Sequence, residues 1–61
     1  MEKLYQVKFR VWQIGDYLLK RGDVVTITHI GNGWCEVNNT YFIKPIPATY
    51  DDLKAHCKEL N

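Results

Sequence analysis

The chain has 61 residues, 46% of them hydrophobic, and a formal net charge of +1 from eight Lys and Arg against seven Asp and Glu. That length holds one small domain, which buries only about 60% of the surface its unfolded chain exposes, and the composition is too apolar for a disordered segment. The longest apolar runs, Tyr17-Leu18-Leu19 and Tyr41-Phe42-Ile43, fall far short of the ~20 residues a membrane span needs, and an enzyme pocket of ~300–1,000 Å³ is hard to fit into so small a body.

Met1-Glu2-Lys3 leads straight into an alternating segment, so no secretory leader is expected. From Leu4 to Trp12, the residues Tyr5, Val7, Phe9 and Val11 fall on one face and Gln6, Lys8 and Arg10 on the other. A period of two predicts a half-buried strand. Gln13-Ile14-Gly15-Asp16 is a turn, Tyr17-Leu18-Leu19 a short apolar piece, and Lys20-Arg21-Gly22-Asp23 a second turn.

Val24 to Ile30 is the clearest strand, because its β-branched residues suit a pleated surface. Gly31-Asn32-Gly33 is a tight hairpin connection, since Gly and Asn accept positive φ. Trp34 to Val37 is the return strand. Asn38-Asn39 is a further turn, and Thr40 to Lys44 reads as a fourth strand.

Pro45-Ile46-Pro47 is expected to end the sheet, since neither proline can donate to a ladder. The remainder reads as a helix over about 49–60. Thr49 is its N-cap, Asp51 and Asp52 suit its positive end, and Tyr50, Leu53, Cys57 and Leu60 lie near one face. The prediction is a single domain over 1–61, mainly β. A small antiparallel barrel of about five strands occupies 1–47, closed on itself to remove exposed edges, with a C-terminal helix packed on it.

Four separated pieces in this order resemble the Src-homology-3 family. Leu4-Tyr5 resembles the opening Ala-Leu-Tyr-Asp-Tyr segment. Asp16-Tyr17-Leu18-Leu19-Lys20-Arg21-Gly22-Asp23 resembles the stretch that closes the family's first long loop. Trp34, after a Gly-containing hairpin, resembles the groove tryptophan. Ile46-Pro47-Ala48-Thr49-Tyr50 resembles the aromatic-Pro-Ser-Asn-Tyr turn. The resemblance covers residues 4–50 and implies a Src-homology-3-like barrel that binds a peptide or protein segment. The chain departs from the family pattern in three ways, one of them that the residues after Tyr50 read as a helix rather than a closing strand. Val7 stands where the second tyrosine falls, and Lys8 and Arg10 occupy a loop that is acid-rich in peptide binders. Asp16, with Glu36, is then the carboxylate left to meet a peptide arginine. Barrels of this type in bacteria and phages also bind nucleic acids or proteins without the groove.

Trp34, Pro47 and Tyr50, with Tyr5 beside them, are the candidate aromatic groove. Rigid aromatics suit an extended or proline-rich segment, which loses little entropy on docking. The plainer reading is that the same rings cap a small core. Trp12, at the edge of a loop, is either an exposed interface anchor or a lid over the barrel end.

A second candidate surface consists of Lys8, Arg10, Lys20 and Arg21, with Lys44 and the aromatics Trp12 and Tyr17 between them. Basic groups interleaved with aromatics are what single-stranded nucleic acid binders use, although five cations on a small domain ordinarily form a solvated surface. The first expectation is therefore a non-catalytic protein-binding module. The alternative is a small nucleic-acid-binding or regulatory protein, of phage or plasmid type. A third reading is a phage- or plasmid-type inhibitor that docks on one host protein.

No cofactor and no metal are expected. His29, Cys35, His56 and Cys57 include no Cys-x-x-Cys or His-x₃-His pair, and neighbours on a helix point about 100° apart. A Cys35–His29 nucleophile pair lacks an oxyanion donor and a cleft. Two cysteines are few for a secreted scaffold, so free thiols in a reducing cytoplasmic setting are the expectation.

Overall fold

A computed structural model of the chain describes residues 2–60. Seven strands and one helix follow in order: β1 (Glu2–Val7), β2 (Val11–Ile14), β3 (Tyr17–Lys20), β4 (Val24–Gly31), β5 (Trp34–Asn38), β6 (Ile46–Thr49), α1 (Tyr50–His56) and β7 (Cys57–Glu59). Five strands form one antiparallel sheet in the order β6-β5-β4-β1-β7, and β2 and β3 form a separate hairpin. The expected mainly β fold with tight antiparallel turns is present.

The sheet is not closed into a barrel. β6 and β7 remain its two edges. Both edges are blunted rather than removed: β7 has three residues, and Pro47 interrupts the donors of β6.

Three expectations about the elements are corrected. The alternating segment 4–12 is two strands of opposite phase. Tyr5 and Val7 point into the core from β1, whereas Trp12 and Ile14 do so from β2, and Phe9 and Val11 are exposed. The chain turns between them because Val7 and Lys8 are held by other partners. The Val7 N–H donates to the Asp23 carbonyl, Gly22 N–H donates to the Val7 carbonyl, and Lys8 N–H donates to the His56 carbonyl.

Residues 40–44 form a loop, not a strand. Asn39 organises it: its side-chain amide donates to the Val24 carbonyl and its Oδ1 accepts from Tyr41 N–H, both at 2.9 Å. An asparagine that bonds to the backbone nearby competes with a ladder. The strand lies instead at Ile46–Thr49, across the proline expected to end the sheet. Pro47 sits opposite Glu36 on an edge strand, the place in a sheet where proline is tolerated.

The C-terminal helix is seven residues long and stops at His56. Thr49 caps it as expected, its hydroxyl accepting from Asp52 N–H at 3.2 Å. Cys57 to Glu59 then pair with Val7 to Tyr5, because the free edge of β1 offers a ladder that outweighs local helix preference. Leu60 is consequently exposed rather than part of a helical core face.

One hydrophobic core unites Val7, Trp12, Val25, Val37, Leu53 and their neighbours, and among the described residues no polar or charged residue is buried. Cys35 and Cys57 are both buried and free. No helix among the described residues is long and apolar enough to cross a membrane.

Candidate functional site

The β2–β3 turn packs against β6. Gly15 has φ +56°, and a Cβ there would stand 3.2 Å from Ile46 Cδ1, so the position combines a left-handed backbone with a close approach. This contact brings Asp16 to the start of β6. The loop between β5 and β6 is fixed from the same side. Tyr17 stacks on buried Phe42 with ring centroids 4.3 Å apart, and its hydroxyl accepts from Ile43 N–H at 3.2 Å.

Between these two loops lies an open cleft of about 380 Å³, lined by Gly15, Asp16, Tyr17 and the run Ile43 to Pro47. Its walls are mainly carbon. Ile43 is 93% exposed, and Asp16 and Lys44 stand as opposite charges at the rim. Two of the residues picked from the sequence, Asp16 and Pro47, therefore share one surface.

Trp34 begins β5 and is 46% exposed. The β4–β5 register slips by one residue between His29 and Gly31, a bulge of the kind that re-aims side chains. Asn32 and Gly33, both at positive φ, close the hairpin. Trp34 is opposite Thr49 and Glu36 is opposite Pro47, so all four share the outer face of the sheet, with Trp34 diagonal to Pro47. Glu36 thus borders the same surface as Asp16.

The other groove candidates go elsewhere. Tyr5 is buried in the core and Tyr50 is half-buried. They meet Lys3, Ile27 and His29 around a separate concavity of about 90 Å³, where the Tyr50 hydroxyl lies 3.0 Å from His29 Nδ1. Burial, and then the Glu59 carboxylate, raise the Tyr5 phenol above its ordinary value. Trp12 is 1% exposed and is no surface anchor. Its indole N–H donates to Asp52, and its ring stacks on His56 at 5.6 Å, fastening α1 to the hairpin.

Of the basic candidates, Lys8 and Arg21 line a third cleft of about 300 Å³ together with Lys58, Gln6, Val7 and Gly22. Arg10 and Lys20 are exposed outside it. Sequence reading missed Ile43 in the apolar cleft because the Tyr41-Phe42-Ile43 run looked like a strand, missed Ile46 because Pro45-Ile46-Pro47 read as the end of the sheet, and set Tyr17 on the basic surface instead. It missed Lys58 because that residue fell within the helix expected over about 49–60, whereas it lies on β7. Among the described residues, no three His, Cys, Asp or Glu side chains gather in a metal-holding group.

No protein-family model matches the chain, and comparison with curated proteins and with solved structures gives no match either.

Proposed function

We propose that the chain is a non-catalytic binding module of Src-homology-3-like architecture. It docks an extended protein segment in the cleft between the Gly15–Asp16 turn and Ile43–Pro47, with Trp34 as the neighbouring anchor. The observation that carries this reading is the meeting at Pro47 of an apolar cleft with a carboxylate rim and a half-exposed tryptophan on one sheet face. The strand order β6-β5-β4-β1-β7, with the β2–β3 hairpin where the family has its first long loop, supports the architecture. The titratable groups lining the cleft are Asp16, Tyr17 and Lys44, a set that favours charge-selective docking over nucleophilic chemistry.

The mechanism is burial of flat apolar surface on Ile43, Pro47 and Trp34, while Asp16 and Glu36 select a cation on the ligand. A short extended ligand loses little entropy on docking, and a groove of this size gives affinity near the micromolar level, about −8 kcal/mol. The test is titration of isotope-labelled protein with proline-rich peptides carrying one arginine, alongside selection from a random peptide library. Amide shifts at Asp16, Tyr17 and Ile46 and at the Trp34 indole are expected. Ligands that bind folded Trp34→Ala and Pro47→Ala as tightly as the parent would remove this site.

A further inference from the structure

We propose that the cleft between the end of β1, the β3–β4 turn and β7 is a binding site for a phosphate group, held by Lys8, Arg21 and Lys58. These three cations are far apart in sequence and come from three different elements. The fold alone brings them to one concavity of about 300 Å³. Their convergence follows from two pairings. Lys58 is opposite Gln6 in the β1–β7 ladder, and the Gly22 and Asp23 backbone is bonded to Val7.

Among the described residues, no acidic side chain lines this cleft. The acid–base contacts within 4 Å among the described residues are Lys3 with Glu59 and His56 with Asp52, and none involves Lys8, Arg21 or Lys58. Asp23, the acid next to Gly22, turns its carboxylate to Lys20 N–H at 2.8 Å. The polar floor is internally satisfied: the Gln6 amide donates to the Gly22 carbonyl at 3.1 Å. Three like charges around one hollow repel each other, and an anion seated among them relieves that repulsion. Arg21 offers a planar fork that suits phosphate oxygens, and the two lysines add point charges.

The phosphate arrives either free, as in an inorganic or nucleotide phosphate, or within a nucleic-acid backbone. Phe9, 50% exposed with the Lys8 ammonium 5.8 Å from its ring centroid, offers a base a stacking face at the margin of the site.

The experiment titrates isotope-labelled protein with inorganic pyrophosphate in one arm and a ten-nucleotide thymidine oligomer in the other. Shifts confined to Lys8, Arg21, Gly22 and Lys58 support the site. Binding of pyrophosphate assigns a free ligand, and binding of the oligomer alone assigns a nucleic-acid backbone. With three contacts to a single strand, oligomer affinity falls about 20-fold between 50 and 200 mM salt. Arg21→Gln and Lys58→Gln, both at exposed positions, each weaken oligomer binding about five-fold at 0.1 M salt and lower the salt slope by about 0.7. Lys44→Gln, in the apolar cleft, leaves it unchanged. If neither probe binds, or if shifts centre on other residues, the site does not exist as proposed.

Discussion

The indole N–H of Trp12 donates to the Asp52 carboxylate at 3.0 Å, linking residues 40 positions apart. His56, one turn later, sets Nδ1 2.8 Å from the Asp52 backbone oxygen and 3.3 Å from its Oδ1, and it stacks flat on the same indole. The short helix is therefore held to the β2–β3 hairpin by one side chain at its first turn and another at its last. Trp12→Ala removes the largest fully buried side chain in the molecule. It is expected to cost about 3–5 kcal/mol, enough to leave a domain this small largely unfolded. Circular dichroism reads this directly, and a cooperative melt near the parent temperature would contradict it.

The two tryptophans are expected to behave oppositely. Trp34→Ala changes stability by no more than about 0.5 kcal/mol. In the parent, Trp34 supplies the red-shifted emission that iodide quenches, and Trp12 the protected component. The substitution removes the quenchable fraction alone. The same variant weakens a docked segment by about 2 kcal/mol if the indole is a hot spot. Quenching that is unchanged in Trp34→Ala would contradict the exposed position.

Gly15→Ala is expected to destabilise the fold by about 1–2 kcal/mol, because φ +56° is a left-handed backbone and the new methyl meets Ile46 at 3.2 Å. Urea melting measures this. Since the turn carries Asp16, binding of an arginine-bearing segment weakens as well.

Tyr17→Phe keeps the ring stack on Phe42 but leaves Ile43 N–H without its acceptor. The expected loss is about 1 kcal/mol, with faster hydrogen exchange at Ile43 and no change at Val25 or Val37. Phe42→Ala removes the buried plug itself and costs about 3 kcal/mol or more.

Alkaline pH is expected to weaken the fold. Burial, reinforced by the Asp52 carboxylate and opposed by Lys8, pushes the Cys57 thiol from its ordinary value of 9.0 up to about 12. Burial also raises the Cys35 thiol. A group whose folded value lies above its unfolded one binds its proton more tightly in the native state. Its contribution is complete below about pH 9 and declines as pH rises from there toward 12. Urea melts at pH 8 and pH 10.5 should show the decline, and Cys57→Ala should lessen it while leaving the share of Cys35 and Tyr5. At pH 8 neither thiol of the native protein should react with a thiol reagent until denaturant is added.

Much of this fold is written locally. The β-branched run of β4, the Asn32-Gly33 turn and the Thr49 cap depend on near neighbours, and each forms where the residues indicate. The placing of exposed Trp34 and Pro47 on one face was not legible in the same way, because Pro45-Ile46-Pro47 reads as the end of the sheet and not as a strand beside β5.

What the tertiary structure decided is phase and partnership. Alternation says that a strand has two faces, not which one meets the core. Once the backbone at Val7 and Lys8 was tied to Asp23 and His56, the chain re-entered the core from Trp12 rather than Val11. Pro47 could join a ladder only because β6 is an edge, and Cys57 to Glu59 became a strand only because β1 had an open side. Both clefts have the same origin. Asp16 meets Pro47, and Lys8 meets Arg21 and Lys58, through contacts between distant segments that no local propensity encodes.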